Sequence, residues 1–181
     1  MTLHHIAAAL DRVSAVLRKR PDLGPHDDSP ARARWEGGTR VSALHDNGLR
    51  VDTDMPTELG GSGQGVTPGW LLRAGTASCA VTCIVMQAAA RGVVLQSLDA
   101  WVTSRSDTRG LLGMPAPDGE AVGAAPLQMT LHVRIAAAGL APAEVRELVA
   151  QSCERSPVPA ALRQAVPLGL DVEVLAEAPG P

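Results

Sequence analysis

The sequence predicts a domain of the α+β class, in which antiparallel β-sheets are wrapped around one long central helix. Three observations support this prediction. Short segments of alternating polarity arrive in groups, an Asn-Gly pair separates two of them, and one apolar run is too long for a strand. The 181 residues, of which 45% are hydrophobic, suffice for one domain with a sizeable core.

The first thirty residues are predicted to be a helix followed by a linker. The apolar residues of the helix recur at intervals of three and four, at Leu3, Ile6, Leu10, Val13 and Leu17. Such spacing places them on one face. Pro21 ends the helix, and residues 21–30 are rich in Pro, Gly and Asp. We therefore divide the chain into an N-terminal helix and linker, residues 1–30, and a compact domain, residues 31–181.

A β-meander is expected to open the compact domain. Residues 31–35, 39–45 and 49–54 alternate in polarity as strands do. Asn47-Gly48 lies between the second and third of them and is the pair that two-residue hairpin turns prefer.

The Gly-rich segment 56–67 is expected to be a loop. It lacks the Lys of a phosphate-binding loop, so its glycines are assigned to tight turns. Asp54 precedes it and Glu58 lies near its start; the two could form an acid pair, and we interpret them as solvated carboxylates.

The long apolar run is predicted to be a helix of about 24 residues. Thr67 is the expected N-cap, and Pro68 suits the first helical position, where its missing N–H costs nothing. Gly92 supplies a left-handed residue at the other end. Apolar residues surround the run, so the helix is expected to be buried almost all round.

The remainder of the chain is predicted to hold two strands, a helix and a last strand. The first two strands are residues 95–106 and 127–136, separated by a loop in which Asp107 and Arg109 are expected to form a local turn contact. The helix runs from Pro142 to about Cys153. The last segments are a strand, Leu168 to Leu175, and a frayed tail, residues 176–181.

Composition excludes several classes of function. The net charge is −3 and the chain has no Phe or Tyr, whereas proteins that bind nucleic acid need a basic surface and often aromatic faces. The N-terminus lacks the order of a secretory signal, and no stretch of ~20 uncharged apolar residues is present. We expect a cytoplasmic protein without nucleic-acid or membrane partners, whose three cysteines stay reduced.

Two thiols lie four residues apart in the apolar run, at Cys79 and Cys83. Their spacing is not that of a zinc knuckle, and the five histidines lie in unrelated segments, which argues against a metal site. A disulfide between them is poorly matched to a regular helix. Packing as small hydrophobic residues is the ordinary role of such cysteines, and for Cys79 a reactive role stays open.

Several segments resemble the OsmC/Ohr family of osmotically inducible and organic-hydroperoxide-resistance proteins. They are residues 55–102, the sequence SDTRGLLG and the sequence SPVPAAL. Within them, Cys79 follows Pro68 by eleven residues, and Gly92 ends the helix. The similarity runs from about Trp35 to Leu175 and leaves the N-terminal helix unexplained.

This resemblance implies an intertwined homodimer with reactive thiols near the subunit interface. In the best-studied members a peroxidatic thiolate attacks the O–O bond of a small hydrophobic peroxide and becomes a sulfenic acid. A resolving thiol then forms a disulfide with it, and an external thiol reductant restores both, so no cofactor is needed. Cys79 matches the peroxidatic position.

The chain departs from the family pattern at three places. The resolving Cys stands just before the Pro that follows the second helix, and here that residue is Ser156. Cys153, about one helical turn earlier, is the candidate for a displaced resolver. Gly69 replaces a Glu that fixes a catalytic Arg, and the candidate for that Arg, Arg40, stands one residue late after Gly37-Gly38.

Three functions therefore stay open. The chain is a thiol peroxidase that acts through Cys79, Cys153 and Arg40, a ligand-binding protein without turnover, or an interaction protein whose N-terminal helix docks a partner. A peroxidase acting in a stress response is the leading hypothesis. Loss of thiols on titration with a hydroperoxide separates the first hypothesis from the second.

Overall fold

The computed structural model describes residues 3–174 and has the predicted α+β architecture, with two antiparallel sheets and a long central helix. The elements are, in chain order, α1 Leu3–Lys19, β1 Arg32–Trp35, β2 Val41–Leu44, β3 Arg50–Thr53, α2 Pro68–Ala90, β4 Val94–Arg105, α3 Thr108–Leu111, β5 Gln128–Ala138, α4 Pro142–Glu154 and α5 Pro157–Gln164.

The first sheet is the predicted meander, with the strands in the order β1-β2-β3. The predicted two-residue turn between β2 and β3 is wrong. The N–H of His45 donates to the carbonyl of Leu49 at 2.9 Å, so three residues lie between this pair. A type I′ turn needs positive φ at both central residues, and only Gly48, at 89°, has it here.

Helix α2 begins and ends as the sequence predicts. The Thr67 hydroxyl accepts a hydrogen bond from the Trp70 N–H at 3.2 Å, and Pro68 is the first helical residue. Gly92 follows the helix with φ of 67°, a conformation that glycine adopts without strain.

The expected burial of α2 all round is wrong for the single chain. Its buried residues form one stripe, made of Thr76, Ala80, Ile84, Ala88 and Ala89. By length and composition α2 is the one helix in residues 3–174 that could cross a membrane. Helices α1, α4 and α5 and strand β4 pack on it, which identifies it as the core helix of a soluble fold.

The second sheet is the hairpin of β4 and β5, paired from Val94 with Ala138 to Arg105 with Gln128. An irregularity between Leu95 and Ser97 shifts the register near the start of β4. One face of the hairpin packs on α2. The other face carries Trp101, which stacks on the ring of its cross-strand partner at a centroid distance of 5.1 Å.

Helix α4 confirms the prediction, and the carboxylate of Glu144 caps it by accepting from the Ala141 N–H at 2.7 Å. Helix α5 was not predicted. Pro157 occupies its first helical position, where proline is favoured.

The predicted C-terminal strand is wrong over residues 168–174, which carry no strand pairing. Leu168 and Leu170 are 98% and 90% exposed. Within the described part of the single chain no strand lies alongside to share main-chain hydrogen bonds, and an alternating pattern alone does not form a strand. Leu175 and the predicted tail lie outside the described residues.

Candidate functional site

The half-buried sulfur of Cys79 contacts the hydroxyl of a residue that is 77 positions further along the chain. Ser156 is fully buried, and its hydroxyl donates to the Cys79 sulfur at an O···S distance of 3.1 Å. No other hydrogen bond reaches this sulfur from residues 3–174. The position where a resolving thiol was expected is thus in contact with the candidate peroxidatic thiol.

The corner between α4 and α5 holds Ser156 in this place. The residue precedes Pro157 and is the N-cap of α5, and its carbonyl accepts from the Ala160 N–H at 2.9 Å. Its own N–H donates to the carbonyl of Cys153 at 3.4 Å. Short connections on both sides therefore fix the backbone of Ser156 while its side chain points at α2.

Cys83 lies one helical turn further along α2 than Cys79, and Cys153 lies in the last turn of α4. The Cys83 thiol is directed at the main-chain oxygen of Arg155, 4.0 Å away. The pKa of Cys153 is raised, because burial disfavours its thiolate, and the Arg163 guanidinium opposes this while Cys83 adds to it. The hydrogen bond to Cys79 therefore comes from Ser156 and not from Cys153, the partner that the sequence predicted.

An apolar cavity of about 530 Å³ opens beside Cys153. Met129 from β5 and Leu162 from α5 contribute to its walls, and Arg163 is the one charged residue in its lining. The Arg163 guanidinium donates to the Cys153 carbonyl at 2.9 Å. The cavity can take a small, mainly apolar molecule next to a thiol.

Arg40, the predicted activating arginine, lies in a different part of the structure. It is exposed at the start of the second strand of the first sheet and helps to lower the pKa of Asp52, whose larger causes are hydrogen bonds from Arg50 and Ser42. Strands β1, β2 and β3 contact mainly one another. The single chain therefore does not bring Arg40 to Cys79.

Asp54 is not a solvated carboxylate, and the prediction for it is wrong. Only 4% of the residue is exposed. Its carboxylate accepts from the hydroxyls of Thr39 and Ser62, each at 2.5 Å, and from the N–H groups of Met55 and Ser62, each at 2.8 Å. These four bonds tie the Gly-rich loop to the first sheet. In the sequence, the signal for this role of Asp54 was its position directly before a loop rich in Gly and Ser.

The contact of Asp107 with Arg109 is confirmed. The guanidinium donates to the carboxylate at 2.6 Å from Nη2 and 3.0 Å from Nε. This pair lowers the pKa of Asp107 to about 2. The two residues close the turn at which α3 starts.

Among residues 3–174 no group of three His, Cys, Asp or Glu side chains is placed to hold a metal ion.

Comparison with known proteins places the chain in a family. A family model described as "OsmC-like protein" matches residues 61–171. No curated protein sequence matches the chain.

Several solved structures share the fold. An OsmC-like protein from Mycoplasma pneumoniae is 19% identical over 77% of this chain and 89% of its own, with a TM-score of 0.63. An organic hydroperoxide resistance protein OsmC from Legionella pneumophila is 26% identical over 77% of this chain and 91% of its own, with a TM-score of 0.57. A candidate organic hydroperoxide resistance protein from Vibrio cholerae, with captopril in one of its active sites, is 23% identical over 76% and 87%, with a TM-score of 0.51.

Proposed function

The chain belongs to the OsmC-like protein family, and on that premise we propose that it is a thiol-dependent peroxidase that reduces organic hydroperoxides in a stress response. One observation carries the proposal: Cys79 and Ser156 are in contact at 3.1 Å. This contact supports matching Cys79 to the attacking position and residue 156 to the position where relatives carry the resolving thiol. The proposed location is the cytoplasm, where an external thiol is available.

In the proposed reaction the Cys79 thiolate attacks one oxygen of the hydroperoxide. An S–O bond forms, the O–O bond breaks, and the other oxygen leaves as an alcohol after taking a proton. The hydroxyl of Ser156 has the position to stabilise negative charge on sulfur by donating to it. The product at Cys79 is a sulfenic acid.

Resolution of that sulfenic acid needs a thiol that Ser156 does not provide. We assign this step to an external low-molecular-weight thiol, which condenses with the sulfenic acid and releases water. A second thiol molecule then attacks the mixed disulfide and frees Cys79, so that two thiols leave as one disulfide. The alternative, that Cys153 resolves Cys79, stays a prediction.

We further propose a homodimer, in which a second chain covers the solvent-facing part of α2. Each proposed subunit consists of an N-terminal helix and linker, residues 1–30, and a domain, residues 31–181. Arg40 is assigned to act on Cys79 of the partner subunit, because its sheet contacts α2 of its own chain very little. A guanidinium beside the sulfur would favour the thiolate that attacks peroxide.

Titration with cumene hydroperoxide tests the proposal. One equivalent should convert Cys79 to a sulfenic acid that dimedone traps at that residue, and Cys79→Ser should lose peroxide consumption entirely. A Cys153→Ser variant whose dimedone adduct accumulates more than in the wild type supports the resolver role of Cys153; equal accumulation supports the external thiol.

The opposite outcome favours a different function. If the hydroperoxide leaves all three thiols free and Cys79 unlabelled, the peroxidase proposal fails. Saturable binding of cumyl alcohol in the same sample would then support the ligand-binding alternative.

A further inference from the structure

We propose that Cys83 and Cys153 are a second redox site, a thiol pair that low-molecular-weight disulfides convert reversibly to a disulfide between α2 and α4. This site lies apart from Cys79 and needs no peroxide turnover. Both cysteines were interpreted as packing residues or, for Cys153, as a resolver of Cys79, and the packing of α2 on α4 gives each of them another neighbour.

The register between the two helices carries the proposal. The Cys83 sulfur points at the carbonyl of Arg155, which caps the last turn of α4, the turn that contains Cys153. The Arg155 side chain reaches back to α2 and donates to the Gln87 amide oxygen at 3.1 Å. Arg91, directly after the last residue of α2, contacts Gln151. These contacts hold Cys83 against the end of the α4 turn that contains Cys153, and Cys83 is near enough to Cys153 to contribute to its raised pKa.

The access of small molecules to both sulfurs also suits a thiol pair. Cys83 and Cys153 are half-buried rather than sealed, and Cys153 opens on the cavity of about 530 Å³. Arg163 lines the same cavity and favours the thiolate of Cys153, opposing the larger effect of burial on its pKa. A small disulfide can therefore enter the cavity and meet a sulfur near a cation.

The chemistry balances without a further reactant. The Cys153 thiolate attacks one sulfur of the small disulfide, forms a mixed disulfide and releases one small thiolate. The Cys83 thiolate then attacks the Cys153 sulfur, forms the disulfide between α2 and α4, and releases the second small thiolate. Two protein thiols are oxidised and one small disulfide is reduced to two thiols. Excess small thiol reverses both steps.

Peptide mapping of a Cys79→Ser variant tests the proposal independently of peroxidase activity. Trypsin leaves residues 74–91, which hold both Cys79 and Cys83, and residues 147–155, which hold Cys153. With Cys79 replaced, any link between these peptides comes from Cys83. After treatment with bis(2-hydroxyethyl) disulfide we expect loss of both free thiols, a linked peptide pair within one chain, and full recovery of the thiols with excess 2-mercaptoethanol.

A Cys79→Ser, Cys83→Ser variant is the matched control. It should give no linked peptides and stop at the mixed disulfide on Cys153, which mass spectrometry identifies by its added hydroxyethylthio group. Circular dichroism checks that both variants are folded. If the folded Cys79→Ser protein keeps two free thiols, carries only mixed disulfides, or links peptides of two different chains, the proposal is wrong.

Discussion

The hydroxyl of Ser156 donates a hydrogen bond to the sulfur of Cys79 at 3.1 Å, although the two residues are 77 positions apart. The contact depends on the corner between α4 and α5, which buries Ser156 completely and directs its side chain at α2.

Ser156→Cys should create an intramolecular resolving pair. The separation of the Ser156 oxygen from the Cys79 sulfur is small enough that a second sulfur at this position comes within reach of a disulfide after a modest adjustment. One equivalent of cumene hydroperoxide should then remove two thiols and yield a peptide that links Cys79 to the new cysteine. Ser156→Ala should instead keep a dimedone-reactive sulfenic acid. If Ser156→Cys also keeps a dimedone-reactive sulfenic acid, the contact between positions 79 and 156 does not allow a disulfide to form there.

Ser156→Ala should slow the attack on hydroperoxide by about 10- to 100-fold, since a hydrogen bond to a charged group contributes ~1.5–3 kcal/mol. Stopped-flow measurement of the first turnover checks this. Ser152→Ala is a matched control, because Ser152 is also fully buried on α4 and donates to the Leu148 carbonyl at 2.6 Å, away from Cys79. Equal slowing in both variants would show a general effect of losing a buried hydroxyl.

Acid should destabilise the protein through Asp54. Hydrogen bonds from the Ser62 and Thr39 hydroxyls hold the pKa of its carboxyl far below the ordinary value of 3.8. The native state therefore binds this proton less tightly than the unfolded state, so the contribution to stability is complete above pH 3.8 and is lost as the pH falls toward the native pKa. Urea unfolding from about pH 6 to about pH 2 measures the loss.

Asp54→Asn should lower stability at neutral pH and flatten its acid dependence. Asp27→Asn, in the exposed linker, is the control and should leave both unchanged. A variant at residue 54 that keeps the full acid dependence would show that other carboxylates cause it.

Gly61→Ala should destabilise the loop by ~2 kcal/mol or more, because a methyl group there would lie 1.8 Å from the Met55 carbonyl oxygen. Gly123→Ala is the matched control: a Cβ at that glycine meets nothing within 4 Å, so the change should stay within ~0.5 kcal/mol. Midpoints of urea unfolding compare the two variants. Similar midpoints would contradict the close approach of the loop to Met55.

Local signals in the sequence predicted most of the elements. Thr67 and Pro68 started α2 and Gly92 ended it, because capping depends on neighbouring backbone groups alone. Burial and pairing were less predictable, since both need partners that are distant in sequence. The alternating segment 168–174 has no strand beside it in the single chain, and α2 is covered on only one stripe.

The candidate site could be predicted only in part. The family resemblance pointed to Cys79 and to the importance of position 156. No sequence rule pairs Cys83 with the last turn of α4, because that depends on the crossing of two helices and on Arg155 reaching Gln87. Asp54 was misjudged because three of its four hydrogen bonds come from Thr39 and Ser62, which meet it only in the folded chain.

The apolar residues that alternate along the C-terminal segment face water in the single chain, with Val172 66% and Val174 86% exposed. While these side chains are exposed, the folded state lacks the stabilisation that burying them would give. Any surface that covers them, including that of a second chain, binds the folded state and stabilises it by mass action. The proposed homodimer therefore predicts that dilution lowers the melting temperature, whereas a self-sufficient monomer would melt at one temperature at every concentration.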